Sequence, residues 1–226
     1  MVKLLMVKVS ARRLSAEIIQ LIAQEVRGCT RCGLASGRTR AVPGEGPADA
    51  RIMLIGEGPG YHEDRQGRPF VGQSGQFLDD LLAMAGLARA DVFIANVVKC
   101  RPPQNRDPQP DEVATCTEHY LYRQIEAIDP PVIVTLGRFS MSLFLPGERI
   151  TRIHGQPRKA GGRLIVPMLH PAAALHQPQN RPLIEADFRG LPAILARAEA
   201  EQAAARPGPA SARPDDDRPL EQLSLF

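Results

Sequence analysis

The chain has 226 residues, 43% of them apolar, and a formal net charge of +3. That length suits one packed domain with appendages. The longest apolar runs are too short to cross a bilayer, and the N-terminal MVKLLMVKVS lacks the length and cleavage site of a secretory signal, so a cytoplasmic protein is expected. The slightly basic balance permits nucleic-acid binding without demanding it, because only a local patch matters for phosphate contact.

Residues 14–26 have helical periodicity, with Leu14, Ile18, Leu21, Ile22 and Val26 on one face. This helix delivers Cys29 and Cys32 into the loop that follows. Residues 51–55 form a short apolar run that stops at Gly56 and predict a buried strand. Ser74 is placed to cap a helix over residues 74–84. Residues 91–98 carry a second strand, VFIANVV. A helix follows over residues 111–128, with Cys116 near its start, and Pro130-Pro131 end it. Residues 132–136 are a third strand, followed by Gly137 and a short helix. Residues 163–169 are a fourth strand, ending at His170. A last helix covers residues 183–201.

Strands alternating with helices imply a parallel sheet covered on both faces. There is no internal repeat. The domain therefore spans residues 1–202. After it, residues 203–221 shift to Ala, Pro, Arg and Asp, the composition of a disordered linker. The linker ends in an apolar QLSLF at residues 222–226.

Cys29 and Cys32 form a C-x-x-C pair, and Cys100 and Cys116 follow at C-x15-C spacing. Together they make one complete S4 shell, which suits zinc or an iron–sulfur cluster. Two disulfides would also use all four. A chain of this size needs no staples, however, and C-x-x-C in a reducing compartment favours metal.

Ligands of open parallel α/β sheets bind at the carboxyl ends of the strands. After the first strand comes Gly56-Glu57-Gly58-Pro59-Gly60, then Glu63 and Asp64. Such a loop either brings backbone N–H groups close to a ligand or is only a tight turn. Its glycine spacing is not a dinucleotide fingerprint, and no P-loop Lys-Ser/Thr follows. Asn96, at the second strand's end, can donate and accept with one amide, as reading a pyrimidine edge requires; the alternative is a structural hydrogen bond. His170 can stabilise negative charge on a leaving group. Phe70, among polar and glycine neighbours, is either core or a stacking platform.

In order and phase, the C-x-x-C pair, GEGPGYHEDRQGRPFVGQSG, NVVKCRPPQNRDPQPDE, Cys116 and HPAAAL resemble the family 4 uracil-DNA glycosylases. The resemblance covers roughly residues 29–175. It implies a three-layer α/β/α sandwich around a four-stranded parallel sheet. It also implies a structural [4Fe–4S] cluster on Cys29, Cys32, Cys100 and Cys116, with zinc as the alternative. By position, Glu57, Gly58 and Pro59 line the pocket, Phe70 stacks on the uracil, Asn96 reads the base edge and His170 faces its O2. The best-known glycosylase branch has an Asp where this chain has Gly58. Water activation then falls to Glu57, with Glu63 as the substitute, unless the water needs little activation. Leu175 is either the wedge that fills the hole left by a flipped base or a packing residue.

Glu57 favours the uracil-specific branch over one with a nonpolar residue there. Residues 100–106 hold no His and no basic insert, so covalent trapping of the sugar is not expected. His154 is expected at the surface or on a phosphate. The substrate implied is uracil in single- or double-stranded DNA, handled by a monomer. QLSLF resembles the pentapeptide by which bacterial partners dock on the replication sliding clamp, through Gln222, Leu223, Leu225 and Phe226. The competing readings are a non-catalytic nucleic-acid-binding module and an iron–sulfur redox protein.

Overall fold

The structure is a computed structural model that describes residues 2–205, with side chains for residues 12–204. In chain order its elements are α1 (Val2–Gly28), α2 (Leu34–Gly37), β1 (Ile52–Gly56), α3 (Tyr61–Gln66), α4 (Gln73–Met84), β2 (Phe93–Asn96), α5 (Pro110–Cys116), α6 (Tyr122–Ile128), β3 (Val132–Leu136), α7 (Arg138–Ser142), α8 (Ile150–Ile153), β4 (Arg158–Ala160), β5 (Arg163–Met168), α9 (Ala172–His176), α10 (Arg181–Arg189) and α11 (Leu191–Ala205).

The sheet order is β2-β1-β3-β5-β4. The four expected parallel strands are all present, β1 lying between β2 and β3, and β3 beside β5. The sheet gains a fifth strand that the sequence reading did not contain. β4 pairs antiparallel with β5 at the edge. Gly161 and Gly162, both at positive φ (56° and 77°), make the two-residue turn between them. A Gly-Gly pair between two short runs is a hairpin signal in its own right.

Every residue of β1 and β3 is buried, as a strand covered on both faces requires. The pleat sends alternate side chains to opposite layers. Ile52, Leu54, Val132, Val134 and Val166 join Leu78, Phe188 and Leu191 from α4, α10 and α11. Met53, Ile55, Ile133 and Ile165 join Ile22, Val26, Cys116 and Ile125 from α1, α5 and α6. Each fully buried Leu, Ile or Phe in these layers contributes roughly 1.5–3 kcal/mol. The two apolar layers are what make the fold a sandwich.

Several helices differ from expectation. α1 begins well before residue 14, and its buried stripe is narrower: Ile22 and Val26 are sealed, while Leu14 and Leu21 are 57% and 51% exposed. The i, i+4, i+8 row of Ile18, Ile22 and Val26 forms the centre of the contact, with Ile19 packed beside it. α4 starts at Gln73 with Gly72 as its N-cap and no side-chain cap, so Ser74 is not the cap. The helix expected over residues 111–128 is interrupted by a π turn, Thr117–Leu121. There the Thr117 hydroxyl donates to the Val113 and Ala114 carbonyls at 2.8 and 3.1 Å. Cys116 is consequently the last residue of α5, not an early one. The C-terminal helix is broken at Gly190 into α10 and α11, and α11 runs to Ala205, past the expected boundary at 202.

The chain leaves β1 for β2 on one side, then returns to β3 on the other. That reversal opens a crevice at the carboxyl ends of β1 and β3, the place where this class of sheet binds ligands.

Candidate active site

At those strand ends lies a cleft of about 430 Å³ lined by Glu57, Gly58, Pro59, Phe70, Asn96 and His170, among others. All the pocket residues expected from sequence therefore share one cavity.

Asn96 forms the buried part of the floor, 2% exposed. Its Oδ1 has no hydrogen-bond partner. A buried amide oxygen without a partner is costly, by about 1–3 kcal/mol, unless a ligand satisfies it. Beyond β2 the pairing continues, with the Val97 and Val98 N–H groups donating to Gly56 and Glu57 carbonyls at 2.9 and 3.0 Å. This fixes the glycine-rich loop beside Asn96. A Cβ on Gly56 would lie 2.5 Å from Asn96 Oδ1 and 2.7 Å from Phe70 Cζ. Glycine is required there because the Asn96 and Phe70 side chains converge on its Cα.

Phe70 is 5% exposed and has φ 49°, a left-handed backbone that a phenylalanine rarely adopts. The surroundings impose it. Glu63 Oε1 accepts from the Val71 and Gly72 N–H groups at 2.8 and 2.9 Å, and Oε2 accepts from Gly60 N–H at 3.1 Å. Arg89 Nη1 donates to the Phe70 carbonyl at 3.1 Å, and its other terminal nitrogen donates to Pro69. Gly75 lets α4 close on this loop, since a Cβ there would lie 2.0 Å from the Phe70 oxygen. Glu63 is thus committed to three backbone donors, which removes it as a substitute for water activation. Sequence reasoning missed Arg89 and Gly75 altogether.

His170 sits where β5 gives way to α9. Its Nδ1 accepts from the Ala172 N–H at 3.1 Å. The neutral ring therefore carries its proton on Nε2. Burial lowers its pKa to about 4, against a smaller upward pull from Glu63. Its ring lies 5.5 Å from that of Phe70, tilted by 27°. Glu57 is half-buried on the cleft wall. Burial raises its pKa, as does the charge of Asp107, while Arg138 opposes them.

Leu175, on α9, is 47% exposed beside Ala172 and His176, which line the cleft. At the loop opposite, Tyr61 is half-exposed with Arg101 and Arg65 over its ring at 5.3 and 5.8 Å. Arg101 Nε donates to Oδ1 of Asn105, which also lines the cleft. His154 is away from this cluster and bonds through Nδ1 to Asp187 at 2.8 Å. It is a half-buried structural pair rather than a free surface residue.

The four cysteines are free thiols, so the disulfide alternative falls. They belong to one apolar cluster. They lie close enough to act on each other's charge: Cys100 feels Cys32 and Cys29, and Cys116 feels Cys100 and Cys32. Burial raises the Cys100 thiol and pushes Cys116 up to about 11. Three of the sulfurs accept hydrogen bonds, from Arg38 Nη1 to Cys100 at 3.1 Å, Lys99 N–H to Cys116 at 3.4 Å and Arg31 N–H to Cys29 at 3.5 Å. Among the described residues, no three His, Cys, Asp or Glu side chains have the spacing that one metal ion needs.

The sheet is covered on both faces, with Asn96, Phe70 and His170 gathered at its switch point. Residues 43–190 match the family model described as the uracil DNA glycosylase superfamily. A type-4 uracil-DNA glycosylase of Thermotoga maritima is 47% identical over 167 residues, 73% of this chain and 86% of that protein. One from Saccharolobus solfataricus is 50% identical over 181 residues, 76% of this chain and 83% of that protein. A type-5 enzyme of Thermus thermophilus is 37% identical over 123 residues, covering 47% of this chain and 54% of that protein. The chain belongs to the type-4 uracil-DNA glycosylases.

Proposed function

We propose that the cleft takes an everted uracil and that Phe70, Asn96, His170 and Glu57 carry out its excision. The activity is that of a uracil-DNA glycosylase: hydrolysis of the N-glycosyl bond, leaving an abasic site, in base excision repair. The base must leave the helix first, because the bond is unreachable within the stack.

One observation carries the residue assignment. The buried Asn96 Oδ1 lacks a partner in the floor of the cleft. Uracil N3–H would donate to it, and Nδ2 would donate to uracil O4. Cytosine presents the reverse pattern and would leave both groups unpaired, a mismatch that costs several kcal/mol. The base stacks on Phe70. The 5.5 Å between the Phe70 and His170 rings exceeds face-to-face contact of about 3.5 Å, so the nearly parallel rings are offset. This turns an edge of the imidazole toward a base lying on Phe70. His170 Nε2–H then donates to uracil O2, where charge builds as the base departs as an anion.

Water attacks the sugar cation left behind. Glu57 is the group we assign to orient it, supported by its raised pKa and its place on the cleft wall. Leu175 is the assigned wedge, supported by its exposure beside the cleft. Gly58 and Pro59 shape the wall.

Cys29, Cys32, Cys100 and Cys116 are read as holding a [4Fe–4S] cluster. Support comes from an all-thiol donor set with N–H groups aimed at three sulfurs. Zinc on the same four thiolates is the alternative occupant. When bound, the cluster would cross-link the loop after α1 to the segment after β2 and to the end of α5. No bond-making step passes through it. Reduced thiols suit the cytoplasm, and among the described residues no helix is long and apolar enough to cross a membrane. QLSLF at residues 222–226 lies outside the described residues, as does most of the linker. Its resemblance to the clamp-docking pentapeptide is the support for a sliding-clamp partner.

The test is abasic-site formation on a uracil-containing oligonucleotide. Asn96→Ala and His170→Ala are each expected to lower the rate roughly 10²- to 10⁴-fold. Wild-type rates in both would put the chemistry elsewhere.

A further inference from the structure

Lys99 is among the largest fully buried side chains, 1% exposed. Its Nζ donates to the backbone carbonyl of Asn96 at 2.9 Å and to Gln124 Oε1 at 2.7 Å. Gln124, also 1% exposed, uses its other end to donate to the Pro43 carbonyl at 2.7 Å. The ammonium therefore ties the end of β2 to α6 and, through it, to the segment before β1. Both acceptors are neutral. Among the described residues no carboxylate forms an ion pair with Lys99, whereas the buried Glu112 is paired with Arg106. An ammonium sealed from water with only neutral partners is strongly disfavoured. The anion-forming group beside it is Cys116, whose sulfur accepts the Lys99 N–H at 3.4 Å. Cys100 is the next residue along the chain.

We propose that Lys99 is a positioning residue that holds Asn96 in its base-reading pose, and that the four-cysteine site supplies its counter-charge. The proposal rests on the reading of Asn96 as the base reader and of the cysteines as thiolate ligands. Four thiolates around a cluster carry net negative charge in the same apolar layer that encloses the ammonium. The cysteine site then supports catalysis without touching substrate, by making a buried lysine tolerable exactly where β2 must be pinned. Asn96 has no side-chain partner of its own to fix its amide. Its backbone is held by the ladder to β1 and, at its carbonyl, by Lys99.

The experiment uses the full-length, cluster-loaded protein. Lys99→Met keeps the side-chain length and removes the charge. Gln124→Leu leaves the charge and removes one acceptor. For Lys99→Met, kcat is expected to fall about 10²-fold from misplacement of the reading group, with KM for DNA changed less than about threefold. Inhibition by free uracil, which probes the base pocket alone, weakens about tenfold. The cluster's reduction potential moves to a more negative value, because a nearby positive charge is gone. Gln124→Leu leaves that potential in place and weakens uracil inhibition by a smaller factor.

Wild-type kcat and uracil inhibition in Lys99→Met overturn the positioning role, and an unmoved potential overturns the counter-charge role. If Lys99→Met does not load with iron, Gln124→Leu decides: wild-type uracil inhibition there overturns the proposal. Asn96→Ala is measured alongside. A wild-type rate in Asn96→Ala means the base-reading assignment has failed, whereas a crippled Asn96→Ala beside an unaffected Lys99→Met means only the Lys99 inference has.

Discussion

At the level of single residues, the histidine at the end of β5 is defined by one backbone hydrogen bond. Ala172 N–H occupies Nδ1, so the proton of the neutral ring is fixed on Nε2. Protonating the ring would force two donors against each other and would charge a sealed group. The cost of charging the sealed ring is what lowers its pKa to about 4. The sign of the linkage follows from a folded value below the unfolded one of about 6.5. Below that unfolded value the unfolded chain binds the proton more readily. The stabilisation from neutral His170 is complete above about pH 6.5 and is lost as pH falls through about 4. Urea midpoints compared at pH 7 and pH 5 should drop further in the wild-type protein than in His170→Asn. The His170 ring resonances should titrate near pH 4.

Short elements, rather than long ones, carry the site. The loop between α3 and α4 bends Phe70 into a left-handed conformation that costs about 1–3 kcal/mol. Glu63, 8% exposed, offsets that cost by accepting three backbone hydrogen bonds. Glu63→Ala would strand those donors and should destabilise the protein by about 3 kcal/mol in denaturant unfolding. Gly75→Ala acts on the same loop from the other side. Its Cβ would meet the Phe70 oxygen at 2.0 Å, so α4 or the loop must shift. Uracil excision should fall in Gly75→Ala even where the far-ultraviolet circular dichroism is unchanged. α9 makes a different contribution. Leu175 projects from it without burial. Leu175→Ala should lower excision from double-stranded DNA by about tenfold and from single-stranded DNA far less, because only the duplex leaves a hole to fill.

On the scale of the whole molecule, two apolar layers and one topological reversal organise everything. The sandwich buries strand side chains in alternation, and the switch between β1 and β3 opens a crevice where loops from separate strands meet. The cysteines lie in the layer formed with α1, α5 and α6, whereas Phe70 belongs to the other. β2, which ends in Asn96 and leads on to Lys99 and Cys100, connects the two. The terminal QLSLF is separable from this body in sequence. Deleting residues 222–226 should leave excision from a short oligonucleotide intact and abolish capture by an immobilised sliding clamp. Loss of basal excision would contradict that division.

The parallel strands, the four-cysteine set and the residues around the cleft were legible in the chain. Each rests on local pattern: an apolar run that stops at Gly56, C-x-x-C spacing, and a functional residue just past a strand end. The β4 edge strand had a Gly-Gly signal that was there to be read, and the π turn after Cys116 had none as plain. What the sequence by itself determined was which chemistry is present and on which strand end it sits. Only the tertiary structure decided how each group is used: that Glu63 braces a loop instead of moving a proton, that Asn96 keeps an oxygen unpaired, that Lys99 is sealed against Gln124, and that Leu14 faces water. These depend on hydrogen-bond partners and desolvation, which packing brings together from chain positions that local spacing does not connect.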